Sequence, residues 1–342
     1  MNILIVRLGA LGDVVHAIPA AAAIRAAMPE ARIDWLVEAK HRPIVDLVTT
    51  LDRVVPLDGR TIPAWAGVVR RLRQVRYDVA LDLQGLMKSA VLARASGAVR
   101  VAGFSIWHLR EKGARPFYSE TGVADENVEH VIDKNLQLLR VIGIETSRVE
   151  FPLADVNSRA VDMVRSELGC ERYALINPGA AWPNKQWPPS RFGEVAAFLR
   201  DVRGLPSVVL WGPGEETLAR SVMDESHGAA RLAPPTCIAD LVALARSAAL
   251  VVSGDTGPLH IAAAVGTPAV AIFGPTNPAR NGPWSPDDVT VSRFDRCDCP
   301  YERKCHQAEW CLDTVSVAEV TAAIQQRLGR SASLSERAEP DV

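Results

Sequence analysis

The chain has almost no excess charge of either sign: 38 Lys and Arg stand against 40 Asp and Glu in 342 residues, a net charge of −2. That balance excludes a self-repelling disordered chain or a protein that coats nucleic acid. What remains is an ordinary globular composition, 48% apolar and 23% charged. Long uncharged apolar runs are lacking too, and nothing approaches the roughly 18 residues a membrane-spanning helix needs. The alanine-rich stretch 14–24 does not read as an export signal, because Arg7 lies upstream within an apolar context, Asp13 precedes it and Pro19 interrupts it. A cytoplasmic protein is expected. Cysteine is scarce: Cys170, Cys237, Cys297, Cys299, Cys305 and Cys311 read as reduced thiols rather than a disulfide framework. Four of them cluster, but without the paired Cys-x2-Cys knuckles of familiar zinc sites. Free or loosely paired thiols are therefore expected ahead of a structural metal.

The length exceeds what one core usually supports, so two domains of about 150 residues are expected. Residues 2–7 read as a short buried strand, 8–12 as a glycine-containing turn and 14–28 as a helix ended by Pro29. Further buried strands are expected at 31–37, 53–56, 79–82 and 98–103, with a helix at 131–142. The alternation restarts with strands at 173–177, 207–211, 250–253 and 269–273, separated by helices at 189–203, 215–225 and 238–247. Two doubly wound parallel α/β domains in series follow, joined between 151 and 157. The expected domains are 1–155 and 156–315, then a helix within 316–329 and a polar, disordered tail at 330–342.

Ligands of such sheets bind beyond the carboxyl ends of the strands. After the first strand comes Arg7-Leu8-Gly9-Ala10-Leu11-Gly12-Asp13, whose glycines permit close backbone approach and whose carboxylate sits at the positive end of a helix dipole. Asp13 reads equally well as a helix cap. The motif lacks the third glycine and distal acid of a dinucleotide fingerprint, which argues against an NAD-linked dehydrogenase. In the second half, Ser253-Gly254-Asp255-Thr256-Gly257-Pro258-Leu259-His260 runs from a strand into a helix start suited to phosphate, with a capping turn and a structural histidine as the plain alternative. Asn177 to Pro188 carries Lys185, a cation able to reach a diphosphate. Trp211 to Glu215 carries an acid able to accept from sugar hydroxyls, and Phe273 to Pro278 closes the rim. Each loop alone is explained as a turn, but four on one rim point to a nucleotide-diphosphate site.

These residues resemble the glycosyltransferase family that contains the lipopolysaccharide heptosyltransferases. The likeness is carried by Gly9 to Asp13, Asp34-Trp35-Leu36-Val37-Glu38, Asp82-Leu83-Gln84-Gly85-Leu86-Met87-Lys88-Ser89-Ala90, Lys185-Gln186-Trp187-Pro188, Asp255 to Gly257 with His260, and Gly274-Pro275-Thr276. The resemblance implies a GT-B fold, two Rossmann-like domains facing a central cleft, and an inverting transfer from ADP-heptose that uses no metal or other cofactor. The absence of any Asp-x-Asp pair agrees with that. Asp13 then matches the catalytic base, Lys185 a phosphate contact, Glu215 a ribose contact, and Asp255, Thr256, Gly257 and His260 the rest of the donor site. The Asp-x-Gln-Gly-x-x-Lys-Ser-Ala stretch resembles the enzyme adding the first heptose, while the cysteine cluster resembles the branch adding later ones. Ala180 and Ala181 stand where the family often has hydroxyls.

An acceptor such as Kdo-lipid A, or its heptosylated form, is an anionic glycolipid. From Arg60 to Arg115 eleven basic residues face three acids, a local balance of +8 that leaves −10 for the rest of the chain. Such asymmetry steers an acidic substrate to one lobe, although a solvated helix face at 65–76 is the competing reading. Gly12, Arg60, Gln84, Lys88, Arg70 and Arg73 are the candidate acceptor contacts. No nucleic-acid partner is expected, and peripheral contact with the inner membrane surface is compatible with a lipid-linked acceptor. The alternatives are a transferase of this fold with another sugar nucleotide or acceptor, and a sugar-nucleotide binder without turnover.

Overall fold

The computed structural model describes residues 1–338. The chain divides into two compact units, Met1–Ala154 and Asp155–Val342. In the first, β1 (Asn2–Val6), β2 (Arg32–Glu38), β3 (Arg53–Leu57), β4 (Val79–Asp82), β5 (Arg100–Phe104) and β6 (Glu120–Gly122) form one sheet in the order β3-β2-β1-β4-β5-β6. In the second, β7 (Ala174–Asn177), β8 (Ser207–Val209), β9 (Ala230–Leu232), β10 (Leu250–Gly254), β11 (Ala269–Phe273) and β12 (Val289–Ser292) form another in the order β12-β11-β10-β7-β8-β9. All pairings within both sheets are parallel. Sheets of this kind are covered on both faces, which is why the central strands are continuous apolar runs such as Ile3 to Val6 and Val251 to Val252, all buried. In each unit the strand order reverses beside the first strand, β1 or β7, and that switch point is where ligands of doubly wound sheets bind.

The apolar runs of eight of these strands are legible in the sequence and that of β3 nearly so. Three strands are not: β6, β9 and β12 are short, carry polar residues such as Glu120, Arg231 and Thr290, and lie at sheet edges. An edge strand needs no buried apolar face on both sides and so leaves no apolar run.

The single helix expected over 14–28 is two helices, Leu11–Val15 and Ile18–Ala27. Pro19 lacks the N–H that a continuing helix requires but is well placed in a first turn, so a second helix starts there. Asp13 therefore lies inside a five-residue helix, on its first turn. The alanines of Ile18–Ala27 follow from packing, since Ile18 through Ile24 are all buried. The final helix runs Val317–Ala338, into the stretch expected as a tail, and 339–342 lie outside the described residues. Among the described residues no helix is long and apolar enough to cross a membrane.

Candidate functional site

In the first unit the loop after β1 is held from both neighbouring strands. Arg7 N–H donates to Leu36 O and Glu38 N–H to Leu8 O on the β2 side, and Trp35 Nε1 donates to Arg7 O at 3.2 Å. On the β4 side, fully buried Asp82 accepts from the backbone of Gln84 and Gly85, from Ser89 Oγ at 2.8 Å and from Tyr118 Oη at 2.7 Å. Burial pushes the Asp82 carboxyl up and those hydrogen bonds oppose the shift. With its loop fixed this way, Gln84 turns its Oε1 to accept from Leu8 N at 2.8 Å. The motif Asp82 to Ala90 thus shapes the loop that precedes Asp13.

Asp13 is met by Arg7, the first residue of its own motif, to which the sequence alone assigns no role. Arg7 is buried, its Nη1 donates to Leu83 O, and its Nη2 pairs with Asp13 Oδ1 at 2.9 Å. The other carboxylate oxygen accepts weakly from Ala10 N at 3.4 Å. Asp13 is thus both a cap of its short helix and a partly exposed carboxylate held at a fixed position by a buried guanidinium. The apolar strand hides Arg7 from a reading by pattern, because it looks like the polar end of β1.

A second group lies on the other side of Gly9. A Cβ at that position would come within 2.8 Å of the His41 ring, so glycine is required for the ring to cover the loop. Burial, then Lys40, holds the His41 imidazole down at about 4, neutral at physiological pH. Glu38 pairs with Lys88 at 2.8 Å and with Lys40 at 3.2 Å. Burial alone would raise Glu38, but the two ammonium groups lower it.

The acceptor candidates separate in space. Gly12 lies within the Arg7–Asp13 segment, Gln84 bonds Leu8 N of that loop, Lys88 pairs with Glu38 at the end of β2, and Arg60 is exposed in the segment after β3, at the same carboxyl-end rim. Arg70 and Arg73 end the helix Ile62–Leu72, which runs antiparallel to the strands and carries them toward the opposite rim. Arg73 Nε donates to Ala95 O at 2.9 Å. Arg100 and Arg71 also bond within their own unit, to Glu120 at 2.6 Å and Pro56 O at 2.6 Å.

In the second unit Asp255 is the hub. It is buried at the end of β10, and each carboxylate oxygen has two partners: Oδ2 takes Lys185 Nζ and Thr276 Oγ1 (2.7 Å), and Oδ1 takes His260 Nε2 (3.2 Å) and Asn281 Nδ2 (2.8 Å). Burial would raise this carboxyl; His260 and Lys185 reverse that and hold it far below the ordinary range. Lys185 also lies 4.5 Å above the Trp182 ring. Asp255 thus fixes the ammonium rather than offering a free carboxylate.

Thr256, at the start of the helix Gly257–Ala264, makes no side-chain cap. Its hydroxyl instead accepts from Asn177 Nδ2 at 2.9 Å. Gly257 begins that helix and His260 lies in its first turn. Glu215 Oε2 accepts from Gly212 N at 3.0 Å, and a Cβ on Gly179 would sit 2.3 Å from the same oxygen, so the carboxylate rests directly on the loop after β7. Lys185, Glu215, Asp255, Thr256, Gly257 and His260 thus gather at one rim. Thr276 stands in its motif; Asn177, bonded to Ser253 Oγ at 3.0 Å, opens a loop read only for Lys185, and Asn281, bonded to Asp255, has no signal in the sequence.

The cysteine segment packs against the loops of this rim. Tyr301 N–H donates to Pro275 O, Asn184 Nδ2 donates to Glu302 O at 2.9 Å, and Arg303 lies 5.8 Å over Trp182. Cys299 and Cys305 sulfurs stand 3.6 Å apart, and burial, then Cys297, pushes the Cys311 thiol up to about 12. All six cysteines are free thiols, and among the described residues no three His, Cys, Asp or Glu are grouped to hold a metal ion.

Comparison with known proteins gives this geometry a family. The lipopolysaccharide heptosyltransferase 1 of Pseudomonas aeruginosa is 28% identical over 319 residues, covering 89% of this chain and 87% of that one. Among solved structures, the family 9 glycosyltransferase of Veillonella parvula superposes with a TM-score of 0.82 at 22% identity, covering 96% of this chain and 97% of that one. The Escherichia coli heptosyltransferase WaaC with ADP superposes with a TM-score of 0.76 at 23% identity, covering 97% and 100%. These likenesses show the GT-B fold expected from the sequence. The family model for glycosyltransferase family 9 (heptosyltransferase) matches residues 65–310, and the chain belongs to that family.

Proposed function

We propose that the chain is an inverting heptosyltransferase that moves heptose from ADP-heptose to the lipopolysaccharide inner core, with Kdo-lipid A or its heptosylated form as acceptor. The observation that carries this reading is the Asp255 hub, which fixes Lys185 beside the uncapped start of the helix Gly257–Ala264. A cation and helix N–H groups are what a departing diphosphate requires. Glu215 takes the ribose hydroxyls, and Thr256, Gly257 and His260 complete the donor site. Family membership and relatives named lipopolysaccharide heptosyltransferase support the sugar and the acceptor, as does a solved relative holding ADP-2-deoxy-2-fluoro heptose.

In this mechanism Asp13 takes the proton of the acceptor hydroxyl as its oxygen bonds to the anomeric carbon. The bond from that carbon to the diphosphate breaks, and the charge on ADP is met by Lys185 and the helix start. Arg7 holds the Asp13 carboxylate in place. Gly12, Arg60, Gln84 and Lys88 line the acceptor side. The reaction takes place in the cytoplasm, at the inner face of the membrane that holds the acceptor. Incubation with ADP-heptose and defined core acceptors, followed by mass spectrometry, is the test: one added heptose is expected. Binding of UDP, GDP or NADH in preference to ADP would sink the reading.

A further inference from the structure

The loop after β5 exposes the wrong kind of residue for a solvated turn. Trp107 is 85% exposed and Ile106 40% exposed. This is an ordered turn: Ser105 N–H donates to Gly122 O, and both His108 and Leu109 N–H groups donate to Ser105 O. Leu109 is buried and reaches Gly85, so the turn directs one apolar residue inward and two outward. Met87, 40% exposed at the start of the helix Met87–Ala95, adjoins the same surface, since its backbone N–H meets Glu111 and its sulfur meets Gly113. Exposed Arg110 and Lys112, with exposed Glu111 between them, flank these apolar groups, within the segment 60–115 whose local balance is +8. An indole beside basic residues at a surface is the composition that seats at the headgroup level of a bilayer.

We propose that Ile106 and Trp107, with Arg110 and Lys112, dock the first unit on a membrane surface bearing anionic phospholipid headgroups. The apolar pair enters the headgroup boundary and the two cations meet the negative surface. This deepens the heptosyltransferase reading and rests on it for the purpose of docking, a lipid-linked acceptor. The binding itself needs no turnover. Charge complementarity selects this occupant over a second copy of the chain, whose apposed patch would bring like charges together.

The test is co-sedimentation of the full chain with vesicles of phosphatidylglycerol and phosphatidylcholine in equal amounts, against phosphatidylcholine alone. Binding to the mixed vesicles only, weakening with salt, is expected. Trp107→Ala is expected to lower that partition about tenfold, and Arg110→Gln with Lys112→Gln by about twenty-five-fold, taking roughly fivefold for each cation. Trp107→Ala keeps its thermal midpoint and its transfer rate to a deacylated, soluble acceptor. Equal binding to neutral vesicles, or wild-type binding by both variants, overturns the proposal. So does a dimer that depends on Trp107 in a chain that ignores vesicles. If the wild-type chain binds vesicles through Trp107 yet transfers nothing to the soluble acceptor, the docking surface stands and the assigned reaction fails.

Discussion

Asp13 and Asp255 are both carboxylates at strand ends, and their surroundings separate their roles. Asp13 spends one oxygen on Arg7 and a long contact on Ala10, and stays partly exposed. Asn at this position keeps the cap but cannot take a proton. Asp13→Asn is expected to fold and bind ADP normally while losing turnover by at least about a hundredfold, measured as kcat against ADP affinity. Retained turnover would reduce Asp13 to a cap. Asp255, by contrast, is saturated by four partners. Asp255→Ala leaves the Lys185 ammonium, 14% exposed, without its counter-charge. The expected cost is about 3–5 kcal/mol in urea unfolding, with weakened ADP binding. A stable variant with normal ADP affinity would show that the hub does not hold Lys185 for the donor.

At the scale of elements, the candidate sites are loops fixed by their neighbours. The loop after β7 illustrates this, because Gly179 leaves just the space that the Glu215 carboxylate fills. Gly179→Ala forces Glu215 away from Gly212 N. The donor KM is expected to rise about tenfold or more, while unfolding shifts by only about 1–3 kcal/mol. Glu215→Ala in the same background should add little further, since both changes remove one contact. Full additivity in that cycle would show that Glu215 and Gly179 act separately. The cysteine segment likewise fixes the rim loops, bonding to Pro275 and Asn184.

Across the whole molecule, His41 gives stability a pH dependence. Its folded imidazole titrates at about 4 against 6.5 when free, so between those values the unfolded chain binds a proton that the folded chain refuses. Stability therefore falls as pH drops from about 6.5 to about 4, by roughly 1–2 kcal/mol after discounting for partial exposure. His41→Gln is expected to flatten that part of the profile in denaturant titrations at stepped pH. An unchanged slope would mean that the ring is not held neutral. Asp255 acts in another window: its depressed carboxyl supports the fold above the free carboxylate range and loses that contribution as pH falls below it.

The sequence by itself determined the two α/β units, because central parallel strands are buried on both faces and must be written as apolar runs. It also determined the loops that carry Asp13, Lys185, Glu215 and Asp255, because turns beyond strand ends need Gly, Pro and Asn in recognisable clusters. Edge strands β6, β9 and β12 escaped that logic, and Pro19 divided a helix whose alanines read as continuous. Only the tertiary structure decided which polar side chains meet. Arg7 with Asp13, His41 with Gly9, and Asn281 with Asp255 are 6, 32 and 26 positions apart, and no local periodicity encodes such pairings. It likewise placed Arg70 and Arg73 toward the opposite rim from Arg60, because a helix running antiparallel to the strands spreads a basic sequence segment along the height of the sheet.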